Sequence, residues 1–288
     1  MFLYLFWGSI QIFSQIFAFF PINFLCPMEE MCLVVLAYKV SPQFPVLIVS
    51  NRDEFFERQT APLSEWSDHP GIYAGRDLKA GGTWLGGSAS GRLAFLTNVR
   101  NLKKTPHPSP KSRGALVKNF LISGLSAKTY SEMVLDTANL YEGFNLAVFD
   151  GGEFYFVGSD PKQIFRIEPG IHSVSNASWN TDWPKTKKAS SAVTKILDSK
   201  ASFSEADFFG IMDDTDVVKD PNSLPDTGLG VAREQALSSV RIVTPQYGTR
   251  ASTVVFYKER EVKIAERSFK APPDVSVSDK TLVYQISS

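Results

Sequence analysis

The sequence predicts an α+β fold in which antiparallel sheets are covered by helices that come from separate stretches of chain. Three observations carry this expectation. Short runs rich in Val, Ile, Leu and Phe occur near the start, in the middle and at the end of the chain. The turns between paired runs are short and suit hairpins, and apolar residues at three-to-four spacing are confined to two stretches between them.

Taken in order, Cys32–Tyr38 and Pro45–Ser50 read as two strands joined by a turn over Val40–Phe44, where Ser41 and Pro42 sit. Thr83–Gly86 and Arg92–Thr97 flank the small-residue stretch Gly86–Gly91 as a second hairpin, and Phe144–Phe149 with Phe154–Gly158 form a third around Asp150-Gly151-Gly152. A short strand precedes Ser175-Asn176. Ala115–Ile122, Tyr130–Asn139, Lys185–Asp198 and Ser204–Met212 carry the helical periodicity. Ser239–Val243, Ser252–Tyr257, Val262–Ser268 and Thr281–Ile286 return to strands. Asp220–Gly230, rich in Pro, Asp and Gly, is the expected mobile loop, with Thr105–Pro110 next.

Composition narrows the functions. Thirty basic residues balance thirty acidic ones, so no net field favours nucleic acid. Two cysteines, Cys26 and Cys32, are too few for a disulfide framework, and His69, His107 and His172 lack ligand spacing, so no metal site is expected. The chain is long enough for one main domain, placed over residues 31–288.

Residues 1–30 stand apart as an apolar extension. Phe2–Cys26 carries no charge and seven phenylalanines, enough to cross a hydrocarbon core, so membrane contact through residues 2–26 is one reading. The tract lacks a basic n-region and is interrupted by Gln11, Gln15, Pro21 and Asn23. Leader, anchor, segment packed on the fold, and upstream stretch bypassed by a start at Met28 or Met31 all stay open.

Polar residues gather at strand ends. Asn51-Arg52-Asp53-Glu54 closes the second strand; Gly81-Gly82 precedes Thr83-Trp84; Asn98 ends a strand; Ser175-Asn176 follows one; and Tyr247-Gly248-Thr249-Arg250 opens a late one. The paired glycines imply a bend or a close backbone approach, and Trp84 offers a large apolar face. Taken singly, each cluster is accounted for by turns and core packing.

Together with Met31-Cys32 and Gly143-Phe144-Asn145-Leu146, the ordered motifs resemble the NRDE family, also called the transport and Golgi organization protein 2 family. The resemblance runs from Met31 to the C-terminus. It implies a four-layer αββα sandwich like that of N-terminal nucleophile (Ntn) hydrolases, and roles in Golgi organization, protein secretion and haem mobilization. It further implies a cytoplasmic location with Golgi or mitochondrial association; the apolar tract, which lies outside the resemblance, would anchor the chain to a membrane if residues 1–30 are retained. The expected ligand is a small or haem-like molecule; haem is a transported ligand and not a required cofactor, and the oligomeric state is left open.

The same likeness gives Cys32 a chemistry. If Met31 is trimmed, Cys32 carries a thiol and a free α-amine of pKa about 7.7–8.0 that can act as base for it. Arg52 would favour the thiolate, Asp53 would hold the ammonium, the amides of Asn98 and Asn176 would receive an oxyanion, and Arg250 would orient an anionic substrate or leaving group. Trp84, Asn51 and Glu54 are the expected ligand-binding residues. The pattern is similar to the cysteine hydrolases that cleave amides of bile salts and penicillin V, with one departure. Arg52 and Asp53 are adjacent here, and on a regular strand neighbours face opposite ways. A strand that continues regularly through them would put Asn51 with Asp53 on one face and Arg52 with Glu54 on the other. The alternatives to an amidohydrolase acting through Cys32 are a ligand carrier using the same scaffold and a membrane-anchored secretory-pathway organizer.

Overall fold

The computed structural model describes residues 31–199, 202–274 and 276–287. The apolar tract 2–26 and Cys26 lie outside the described residues, among which no helix is long and apolar enough to cross a membrane.

Two antiparallel sheets face each other. The first contains β1 (Met31–Tyr38), β2 (Val46–Phe55), β10 (Gly170–Val174), β11 (Tyr247–Tyr257), β12 (Glu261–Phe269) and β13 (Val277–Gln285), in the order β10-β1-β2-β11-β12-β13. The second runs β3-β4-β5-β6-β7-β8-β9, built from β3 (Thr60–Trp66), β4 (His69–Asp77), β5 (Leu85–Ser88), β6 (Leu93–Asn98), β7 (Phe144–Phe149), β8 (Phe154–Ser159) and β9 (Lys162–Arg166). Alternation along each strand sorts the cores. Val34, Leu36, Val46 and Ile48 meet Leu93, Phe95, Phe154 and Phe156 between the sheets. Leu33, Val35, Leu47 and Val49 face α3 (Pro184–Ser199) and α4 (Glu205–Met212), while Ala94, Leu96 and Leu146 face α1 (Gly114–Ile122) and α2 (Ala127–Asp136). Three apolar interfaces between four layers make the αββα sandwich that the sequence led us to expect.

Several elements differ from the sequence reading, for local reasons. β3 and β4 were not expected, because Pro62, Pro70 and Gly71 break the strand pattern; β3 accommodates this with two register shifts against β4. β9 is short and half-exposed. β5 sits two residues later than expected, over Leu85–Ser88. α2 starts at Ala127 because Ser126 caps it, accepting from Thr129 N. A short helix, α5 (Val231–Ala236), was not expected either.

Ser239–Val243 is not a strand. Val240 and Ile242 are buried, which gives the apolar run, but the backbone is spent elsewhere: Arg241 N donates to Asp214 O and Ile242 N to the Thr249 hydroxyl. Only an isolated bridge joins Val243 to Gly248. Within Asp220–Gly230, Thr227 is tied down, its N–H and hydroxyl both donating to Glu234 Oε1 and its carbonyl accepting from Leu102 N.

Candidate functional site

β2 carries the polar tetrad inside regular sheet. Cys32 pairs with Arg52 and Met31 with Asp53 across β1 and β2, and β11 pairs with the other edge through Glu54 and Phe55. The irregularity sits in β11 instead, where a bulge falls between Thr249 and Ala251. Thr249 donates its hydroxyl to Asp53 on the helix-covered face, and Ala251 packs between the sheets, so Arg250 is the extra residue that the bulge re-aims. The tetrad therefore divides: Asn51 and Asp53 face α3 and α4, whereas Arg52 and Glu54 share the inter-sheet face with Cys32.

On the inter-sheet face Arg52 is 4% exposed and its guanidinium lies 4.4 Å above the Trp84 ring. Its Nη1 donates to Thr60 Oγ1 at 3.1 Å and its Nη2 to Glu54 Oε2 at 3.4 Å. Arg58 reaches Glu54 at 3.5 Å and Asp77 at 2.6 Å. Arg250 Nη1 donates to three carbonyls, those of Phe55, Phe56 and Arg58, fixing the turn after β2.

The paired glycines form the wall. Gly81 has φ +70°, and a Cβ on Gly82 would meet the Gly114 carbonyl carbon at 2.5 Å, so both the bend and the close approach expected of them are present. That approach brings the start of α1 against Thr83 and Trp84. The resulting cleft, of about 390 Å³, holds five cations, Arg52, Arg58, Lys79, Lys111 and Arg113, against two carboxylates, Asp77 and Glu142. Trp84 and Leu96 are its large apolar contributions. Among the described residues Lys79 and Lys111 form no ion pair. Gly75 lies beneath Trp84: a Cβ there would sit 2.4 Å from the indole Cη2. Gly75→Ala is expected to push Trp84 off Arg52 and to destabilise the fold by about 1–3 kcal/mol, seen as a shift in tryptophan fluorescence and a lower urea midpoint.

Around Cys32 a web of buried hydrogen bonds joins the asparagines. Ser175 Oγ donates to Cys32 O at 2.8 Å and to Asn176 Oδ1 at 3.1 Å, and Asn176 Nδ2 donates to Asn98 O at 3.0 Å. Thr97 Oγ1 donates to Ser175 O at 2.6 Å, and Asn145 Nδ2 donates to Thr97 Oγ1 at 3.1 Å and to Ala177 O at 2.8 Å. Cys32, Asn98 and Asn176 are thus brought together, with one amide hydrogen of Asn176 committed to a carbonyl. Asn51 is used differently: its Nδ2 donates to Met212 O and Val240 O, both at 2.9 Å.

Asp53 is wholly buried, with Oδ1 bound by Thr249 and Oδ2 without a hydrogen-bond partner among the described residues. Burial pushes its carboxyl up to about 6 against the opposing charges of Lys185 and Arg52. Lys185, 4% exposed on the first turn of α3, is drawn down to about 8 by burial and by Arg100, while Asp53, Cys32 and Glu234 work in the other direction. Sequence reasoning missed Lys185, Arg100 and Glu234. The signal for Lys185 was its place on the buried stripe Lys185, Ala189, Val193 of an otherwise ordinary amphipathic helix.

Glu266 lies fully buried on β12, accepting from Leu63 N at 2.8 Å, and burial pushes its carboxyl to about 7. A folded-state pKa raised above the usual carboxylate value means that the native state holds the proton more tightly, so this group's contribution to stability falls as pH rises from about 4.5 to 7. Glu266→Gln keeps an acceptor for Leu63 N and removes the charge. It is expected to stabilise the protein by about 3 kcal/mol at pH 8 and to have little effect at pH 4, checked by urea unfolding at both pH values.

A model of the family described as Transport and Golgi organisation 2 matches residues 31–271. The mouse Transport and Golgi organization 2 homolog is 27% identical over 261 residues, spanning 83% of this chain and 93% of that protein. The cattle homolog is 28% identical over 263 residues, with the same shares. Among solved structures, a mutant conjugated bile acid hydrolase from Clostridium perfringens superposes with TM-score 0.45 at 9% identity, covering 90% of this chain and 97% of that one. The four layers rest on the strand order and cores described above, and the match over residues 31–271 contains every motif singled out in the sequence: the chain belongs to the Transport and Golgi organisation 2 family.

Proposed function

We propose that this chain serves transport and Golgi organisation, as the name of its relatives says of them, by binding a small anionic ligand in the cleft floored by Trp84. The observation that carries the reading is the charge of that cleft, five cations against two carboxylates around an Arg52–Trp84 stack. Cations above an aromatic floor favour a ligand with a planar or apolar body and one or more carboxylate or phosphate groups. Haem, with its propionates, is one candidate cargo, in keeping with haem mobilization. Among the described residues lining the cleft there is no His, Cys, Met or Tyr, so by these residues haem would be held at its edge and face and not by an axial bond.

Titration of the full-length chain with haemin and with a phosphate monoester, followed by tryptophan fluorescence, tests the reading. Lys79→Glu with Lys111→Glu, both on exposed side chains, is expected to weaken anionic probes about tenfold and to flatten the dependence on salt. Affinity that ignores both the charge reversal and the salt would sink it.

The hydrolase reading is supported by a separate observation. The Ser175–Asn176–Asn98 web ends on the Cys32 carbonyl, and the buried Asp53 Oδ2, on the strand position opposite Met31, has no hydrogen-bond partner among the described residues. A Cys32 with a free amine would place an ammonium beside that carboxylate. Mass determination of the working N-terminus, together with trapping by a thiol-reactive acyl analogue, decides between carriage and turnover: residue 31 still attached to Cys32 excludes turnover.

A further inference from the structure

A second cavity, distinct from the Trp84 cleft, opens on the other side of Thr60. It has a volume of about 320 Å³ and lies between β3 and the ends of β12 and β13. Arg250, Lys270 and Glu266 supply its charges, and Pro62, Phe269 and Val277 its apolar wall.

Arg250 is held there in an unusual way. The bulge in β11 turns it out of the strand alternation, and all three of its hydrogen bonds, at 3.0, 3.1 and 3.0 Å, use Nη1. Among the described residues the buried Nε has no acceptor, and no hydrogen bond of Arg250 uses Nη2. The guanidinium is therefore fixed by one corner, leaving the opposite Nε–Nη2 edge as a planar pair of donors on a group that lines a cavity. A buried donor without an acceptor is costly, and two parallel N–H bonds from one guanidinium edge match the two oxygens of a carboxylate. Neighbouring charges choose between anions. Lys270 already pairs with Asp274 at 3.0 Å, so the cavity offers a single uncommitted positive edge, enough for one carboxylate. The wall of Pro62, Phe269 and Val277 suits a hydrocarbon tail.

We propose that this cavity is a binding site for a small monocarboxylate with an apolar tail, its carboxylate clamped on the Nε–Nη2 edge of Arg250. The site is independent of the Trp84 cleft and of any chemistry at Cys32. Hexanoate is the probe, titrated calorimetrically into the full-length chain at fixed ionic strength. Saturable binding is expected, undisturbed by inorganic phosphate or by hexylamine. Arg250→Lys keeps the charge but loses the fork, and is expected to weaken hexanoate about tenfold or more. Because Arg250→Lys also disturbs the carbonyls after β2, Val277→Glu on the exposed rim is the second variant, with a loss of similar size expected and an unchanged urea midpoint. Absence of saturable binding, displacement by phosphate, or an affinity unmoved by Val277→Glu overturns the proposal. Hexanoate also has the carboxylate and apolar body that suit the Trp84 cleft, so the titration is repeated in Lys79→Glu with Lys111→Glu, where anions in that cleft are weakened. A hexanoate site of unchanged affinity there belongs to the Arg250 cavity, and loss of all hexanoate binding in that variant overturns the assignment.

Discussion

Asn51→Leu is expected to destabilise the protein by about 3–5 kcal/mol, although leucine has the same branching and number of side-chain heavy atoms as asparagine. Asn51 is completely buried on the helix-covered face of β2. Its amide nitrogen serves the carbonyl of Met212, at the C-terminal end of α4, and the carbonyl of Val240, and its oxygen accepts from Ser252 Oγ at 2.5 Å. One side chain thus joins β2, a helix end, the 239–243 segment and β11. A helix leaves its last carbonyls without internal partners, so removing this donor strands a buried acceptor with no water to replace it. Leucine would leave two carbonyls and a hydroxyl unsatisfied together. Urea unfolding monitored by circular dichroism reads the loss, and a midpoint within experimental error of the parent would show that Asn51 does not hold these elements.

The second large effect is expected at Arg100. It is 6% exposed, donates to Glu234 Oε2 at 2.6 Å and to Thr227 Oγ1 at 2.8 Å, and lies 5.4 Å from the Trp183 ring. Arg100→Met leaves the buried Glu234 carboxylate without its counter-charge, and a loss of about 3–5 kcal/mol is expected. Adding Glu234→Gln to that variant is expected to recover most of the loss, because the cost lies in the uncompensated charge and not in the absence of the pair. The same change has a second readout. Burial, and after it the Arg100 charge, hold the Lys185 ammonium below its ordinary range, so in Arg100→Met the Lys185 titration moves upward, toward the usual lysine value. Selective labelling of lysine and NMR titration follows this directly.

Much of the sandwich was legible because its strands obey local rules. Val34, Leu36, Val46 and Ile48 alternate with Leu33, Val35, Leu47 and Val49, and both sets are apolar, which is how a strand reads when each face is covered. The helices carried their periodicity openly. Where the chain breaks those rules the reading failed: β3 and β4 contain prolines and tolerate them only through bulges and an edge position, and the 239–243 segment is apolar because other elements bury it, with its backbone bonded to side chains and loops.

For the candidate site, the amino-acid sequence by itself determined which residues gather at the strand ends. It also determined that Gly81-Gly82 must bend and pack closely, and that adjacent Arg52 and Asp53 would part company on a regular strand. It could not say on which strand the irregularity lies, because a bulge is a property of a pair of strands. The tertiary structure put it in β11, so that Asp53 stays on the helix side with Thr249 while Arg250 is turned toward a cavity of its own. Only the tertiary structure, likewise, made Lys185, Arg100 and Glu234 a buried charge cluster beside Asp53. These residues are far apart in the chain, and whether a charge is solvated or buried depends on what folds over it, which no local pattern encodes.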